Sequence, residues 1–148
     1  MVERVEVSIA RLIDGMIRTM RQHPRCVGLA APQVGRGLRL AVMEAARHPK
    51  VTSHHGLLVF INPQVDDAQG EQIGREGCLS VPDFTGNVKR ATSVHVTALD
   101  RFGKVFGVYL DGFEAIVAQH EVDHLDGTLF LDRVANLAVD VFRRKTYL

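Results

Sequence analysis

Residues 119–124 read Gln-His-Glu-Val-Asp-His, with two histidines four positions apart and a glutamate after the first. On an α-helix, side chains four apart project from one face, one turn above the other. Both imidazoles can then reach one metal ion, with Glu121 placed as general base to a bound water. The preceding residues predict that helix: Phe113, Ile116, Val117, His120 and His124 recur at spacings of three and four. Asp126-Gly127 supplies a stop. Such a helix must turn its ligand-bearing face inward, where metal ligands are shielded from water, so the rest of the chain has to be laid around it.

An HExxH pattern is equally met by a helix with one packed and one exposed histidine, so a third ligand decides the matter. Cys78, in Arg75-Glu76-Gly77-Cys78-Leu79-Ser80-Val81-Pro82, is the candidate. Alone, a cysteine there reads as a small core residue. Beside two histidines it becomes a ligand, because thiolate and imidazole together suit zinc or ferrous iron. The stretch 26–35, Cys-Val-Gly-Leu-Ala-Ala-Pro-Gln-Val-Gly, reads as a small-residue loop that a ligand can approach closely, with one amide, Gln33, among apolar neighbours. Its glycine spacing matches neither a phosphate-binding loop nor a dinucleotide fingerprint.

The remaining expectations follow from pattern. Val5, Ile9, Leu12, Ile13, Met16 and Met20 predict an amphipathic helix over about residues 4–20, broken at His23-Pro24. Buried strands are expected at 38–43 and 57–61, the second ending at Asn62-Pro63, with an exposed loop between them that carries His48, Ser53, His54 and His55. Residues 66–74 read as polar and turn-like. Alternation over 92–98 predicts a half-buried strand with His95 facing solvent; 104–110 returns as its partner across a turn at 100–103. Leu129 and Leu131 suggest a short extended piece, and Arg143-Arg144-Lys145 a solvated chain end.

The 148 residues, 46% hydrophobic and 24% charged, fit one soluble domain over residues 1–148. A net charge of +1 gives no electrostatic basis for nucleic-acid binding. There is no apolar run long enough to span a bilayer, so no membrane association is expected. The amino terminus has no secretory signal, which points to the cytoplasm. Cys26 and Cys78 are too few for a disulfide framework.

Three segments taken together resemble the peptide deformylase family: Gly28-Leu29-Ala30-Ala31-Pro32-Gln33, Glu76-Gly77-Cys78-Leu79-Ser80 and Gln119-His120-Glu121-Val122-Asp123-His124. They occur in the family's order, supported by Ile61-Asn62-Pro63, Ala98-Leu99-Asp100 and Leu125-Asp126-Gly127. The resemblance implies an α+β fold in which antiparallel strands surround a central metal-binding HExxH helix. It implies a metal-dependent hydrolase that removes the formyl group from the N-terminal methionine of newly made polypeptides and releases formate. Cys78, His120 and His124 would hold one divalent metal, Fe2+ by family habit, with Zn2+ or Ni2+ able to take its place. Glu121 would shuttle the proton, while the Gln33 amide and the Leu79 backbone N–H stabilise the oxyanion.

Val27, Gly28, Glu76, Gly77, Ile116 and Val117 are the candidate substrate contacts, with Arg90 beside Glu76. The partners implied are N-formylmethionyl nascent chains, with ribosome contact left open. Two departures stand out: Cys26 occupies a position where the family has glycine, and the chain lacks the short strand and Pro-Val segment that usually precede the first helix. The rival readings are an HExxH metalloprotease, weakened because no histidine follows His124, and a deformylase-like protein that binds formylated peptides without turnover.

Overall fold

The computed structural model describes residues 2–49, 51 and 54–144. Helix α1 spans Val7–Gln22 and buries Ile9, Ile13, Met16, Ile17 and Met20, one face of a 3.6-residue period. The strands follow as β1 (Gly28–Ala30), β2 (Leu40–Glu44), β3 (Leu57–Gln69), β4 (Gln72–Cys78), β5 (Val81–Arg90), β6 (Ser93–Leu99), β7 (Val105–Asp111) and β8 (Val141–Arg143). Helix α2, Gly112–Leu125, comes directly after β7. The strands form two antiparallel sheets, β1-β2-β3-β6-β7 and β4-β5-β8.

Strand β2 shows how the layers are built. Its side chains alternate between faces: Leu40 and Val42 join the apolar cluster beneath α1, whereas Met43 joins Phe60, Val96, Leu110, Val117 and Ala118 on the α2 side. The other side of α2 meets the three-stranded sheet, where Cys78, Val88 and Phe130 make a third cluster. The HExxH helix is therefore enclosed between two antiparallel sheets, and the fold is α+β.

Several expectations need correction. Strand β3 does not stop at Asn62-Pro63. It bulges there, with Asn62 at φ 52 and a register shift between Ile61 and Gln64, and runs on to Gln69. Proline lacks an N–H, so it falls where pairing is already broken, and asparagine tolerates the left-handed backbone. Asn62 also grips the amino-terminal segment, accepting from Val2 N at 2.9 Å and donating to Val2 O at 2.6 Å.

Residues 66–74 are mostly strand, with the reversal at Gly70, φ 73. The polar residues there face solvent, which hid the alternation. Gly28–Ala30 is strand and Ala31–Val34 a 3₁₀ turn rather than open loop. Phe130–Arg133 is likewise a 3₁₀ turn, not an extended piece. The carboxyl-terminal residues 141–143 pair with β5 instead of ending in solvent. The loop after β2 opens with a 3₁₀ turn, Ala45–Arg47, whose Ala45 is fully buried. His55 there binds the buried Glu114 through Nδ1 at 2.7 Å. His95 lies on the outer phase of β6, as expected, with Nδ1 2.5 Å from Asp66 and its ring centroid 4.4 Å from that of Tyr109. Ser53 and Lys145 lie outside the described residues.

Phe60 is fully buried in the layer beneath α2. Phe60→Ala should cost about 3–5 kcal/mol, measured as a lowered urea midpoint. A loss under about 1 kcal/mol would show that this layer does not hold the helix.

Candidate metal centre

Helix α2 supplies two imidazoles and β4 the thiol. Strand alternation turns Glu76 and Cys78 inward and leaves Arg75 and Gly77 outside. The Cys78 Sγ lies 3.2 Å from His124 Nε2, which is 3.2 Å from His120 Nε2. The three ligand atoms all fall within 4.8 Å of one another, and all three residues are at least nine-tenths buried.

A tetrahedral ion bound at about 2.0–2.3 Å separates its ligand atoms by about 3.3–3.6 Å, so the spacing fits with little movement. The charge state fits as well. Burial pushes the Cys78 thiol up, but hydrogen bonding to His120 and His124 outweighs it and brings the group down to about 5. His120 is shifted upward in turn, against its burial, by Cys78 and Glu76. Both shifts favour a thiolate beside an imidazolium, whose proton a metal ion would replace.

The second ring nitrogen of His120 is fixed: its Nδ1 is 2.8 Å from Glu76 Oε1. Glu76 is 6% exposed and also takes two hydrogen bonds, each 2.8 Å, from Arg90. Arg90 reaches on to Asp123 at 2.5 Å, and Arg133 closes the chain on the same carboxylate at 2.5 and 2.8 Å. This places Glu76 behind a ligand, where it sets ring orientation and basicity, rather than on a peptide. Burial would raise the Glu76 carboxyl, but Arg90 and His120 hold it below its ordinary range. In the sequence, Arg90 stands out only as a neighbour of Glu76, and Asp123 and Arg133 do not stand out at all. A charged residue on the inner phase of β5 was the available signal.

Glu121 is 3% exposed, and its Oε1 is the one buried side-chain N or O atom without a hydrogen-bond partner among the described residues. Burial pushes its carboxyl up to about 7, with the imidazoles pulling the other way. It is pressed against β1: a Cβ on Gly28 would stand 2.5 Å from Glu121 Oε2. Only glycine leaves that space. The unsatisfied oxygen needs a proton donor from outside the chain, which a water at the metal position would supply.

Gln33 lies at the same centre. Its Oε1 accepts from Ala30 N at 2.9 Å, so Nε2 points inward, 3.1 Å from Cys78 Sγ and 3.0 Å from Ser80 Oγ. Leu79 sits in the turn after β4 and is 39% exposed. Val27 and Ile116 are half-buried, and a Cβ on Gly74 would lie 3.0 Å from the Ile116 Cδ1. Val117 faces the five-stranded sheet with Met43 and Phe60, in the core. Cys26 packs against the α1 cluster and its Sγ donates to Gly28 O at 3.1 Å.

One thiol, two imidazoles and an HExxH carboxylate between two sheets make a candidate single-metal site of the hydrolytic class. Comparison with known proteins narrows the class. The polypeptide deformylase family model matches residues 1–139. The chain is 44% identical to the peptide deformylase of Syntrophobacter fumaroxidans over 97% of its length and 82% of that protein's. It is 46% identical to that of Heliobacterium modesticaldum, covering 91% and 83%. A crystal structure of a Legionella pneumophila peptide deformylase superposes with a TM-score of 0.82 at 43% identity, over 92% of this chain and 77% of that one. A Met-Ala-Ser-bound structure of the Acinetobacter baumannii class I type b enzyme gives 0.80 at 37% identity, covering 87% and 82%. This chain belongs to the peptide deformylase family.

Glu76→Gln should weaken metal retention about 10–100-fold, because His120 loses its charged support and Arg90 keeps only Asp123. Competition with a chelator reads this directly. Retention equal to that of the parent would remove Glu76 from the metal site.

Proposed function

We propose that this protein hydrolyses the formyl amide of N-formylmethionyl peptides, releasing formate and a free amino terminus. The observation that carries the reading is the meeting of Cys78, His120 and His124, with Glu121 orphaned beside them. When bound, the divalent metal acts as a Lewis acid toward water and the formyl oxygen. Iron is the ion proposed as native, with zinc or nickel as substitutes. The proposed setting is the cytoplasm, on chains emerging from the ribosome; no helix among the described residues is long and apolar enough to cross a membrane.

The protein's own groups divide the remaining work. Glu121, held near 7, takes a proton from the attacking water and returns it to the leaving amine. Water adds OH to the formyl carbon and H to the amine as the C–N bond breaks. Negative charge that builds on the formyl oxygen meets the Gln33 Nε2 donor, held in place before substrate arrives, and the Leu79 N–H. Because Gln33 is anchored through Oε1 on Ala30 N, it needs no rearrangement to donate.

Strands β1 and β4 each end their sheet, which leaves backbone groups free to pair with an extended peptide. Gly28 and Gly77 sit on those two strands. Val27 and Ile116 then line the recess for the methionine side chain. The Met-Ala-Ser complex of the Acinetobacter baumannii relative supports the same substrate class.

Metal-loaded Glu121→Ala should retain its ion and release formate from formyl-Met-Ala-Ser about 10²–10⁴-fold more slowly than the parent. A coupled formate assay checks this. Turnover at the parental rate would exclude the proton role, and cleavage of internal peptide bonds would indicate a protease instead.

A further inference from the structure

Arg144 follows the last strand of the three-stranded sheet, in a place the reaction does not explain. The register aligns Gly77 with Thr85 and Thr85 with Phe142, and the backbone N–H of Arg144 donates to Asp83 O at 2.8 Å, continuing β8 by one residue. The Arg144 side chain crosses back over the outer face of the sheet. A Cβ on Gly77 would overlap its Nη2, lie 3.6 Å from its Cζ and stand 3.3 Å from Thr85 Cγ2. The guanidinium thus lies against the Gly77 backbone where a side chain would otherwise stand, one residue from Cys78.

Its surroundings leave it short of partners. Arg21, Arg39, Arg90, Arg101 and Arg133 each hold a carboxylate. On the same face, Arg75 is stacked 3.8 Å from the centroid of Phe142 and bonded to Asn87. Among the described residues, no carboxylate lies within ion-pair distance of the Arg144 guanidinium. A half-buried guanidinium has five donors in a planar fork suited to a carboxylate.

We propose that Arg144 forms a subsite for a carboxylate borne by the second or third residue of the formylated peptide. The inference rests on the deformylase reading. With the formyl carbon at the centre beside Cys78, an extended peptide advances about 3.3 Å per residue. Along the free edge of β4, the residues after the formyl group run past the Gly77 backbone, beside the guanidinium. Arg75 shares this face and is joined through Asn87 to Asp140, which leaves Arg144 as the guanidinium open to an acidic side chain, where a neutral isostere gains nothing.

The test compares formyl-Met-Ala-Asp with formyl-Met-Ala-Asn, both amidated at the carboxyl end so that the side chain is the only difference. In the metal-loaded parent, the ratio of kcat/KM should favour aspartate. Arg144→Met should lower that ratio about tenfold, Arg144→Lys should recover part of it, and Arg144→Glu should reverse the preference. An unchanged ratio in Arg144→Met, or an equal loss for both peptides, would overturn the proposal. Calorimetric titration with the deformylated products Met-Ala-Asp amide and Met-Ala-Asn amide measures the same discrimination without turnover. If the parent releases no formate, the reaction assignment fails, and the product-binding ratio still decides the role of Arg144. If Arg144→Met does not fold, Arg144→Lys and Arg144→Glu decide that role by the same ratio.

Discussion

A helix buried between two sheets and bearing ionisable side chains is the constraint on which the structure depends. Along α2, Glu114, His120, Glu121, Asp123 and His124 are all nearly inaccessible. A buried charge without a partner costs several kcal/mol. The neighbouring elements are therefore selected for what they neutralise as well as for the apolar area they cover. His55 meets Glu114. Arg90 from β5 and Arg133 from the last 3₁₀ turn meet Asp123, while Glu76 from β4 meets both Arg90 and His120. Among these buried groups, only Glu121 keeps an oxygen without a partner.

That exception is where the proposed chemistry falls. A carboxylate with an unbonded oxygen, walled by the backbone of Gly28, is a costly choice for stability and a useful one for proton transfer. The site is otherwise pre-arranged. Gln33 is aimed by Ala30, His120 by Glu76, and the two imidazoles shift Cys78 toward the thiolate that a metal requires. Preorganisation of this kind lets binding and reaction proceed without the cost of reorienting dipoles.

The parts legible in the sequence are those where one residue type at one spacing has few physical meanings. His120 and His124 had to share a face, and Cys78 needed only a strand to bring it there. Helix α1 was legible from apolar periodicity, α2 from its HExxH spacing, β2 from an apolar run, and β6 and β7 as a pair across a turn. What escaped notice was structure whose signal is polar. Strand β5 hides its alternation because Arg90 takes an inward position next to Val88. The far half of β3 is made of Asp66, Asp67 and Gln69, and its Asp66 serves His95 and Thr97 on an exposed face. Val117 read as a substrate contact, and its packing against the five-stranded sheet puts it in the core. The placement of Arg144 depends on pairing between residues more than fifty apart, which no local pattern encodes.

The central claim is that a sulfur from β4 and two ring nitrogens from α2 bind one ion together. X-ray absorption at the edge of the metal in the protein loaded with one equivalent tests it most directly. The account predicts one sulfur neighbour at about 2.3 Å and two nitrogen neighbours at about 2.0–2.1 Å in the first coordination shell. A shell of nitrogen and oxygen alone, with no sulfur at that distance, would contradict it.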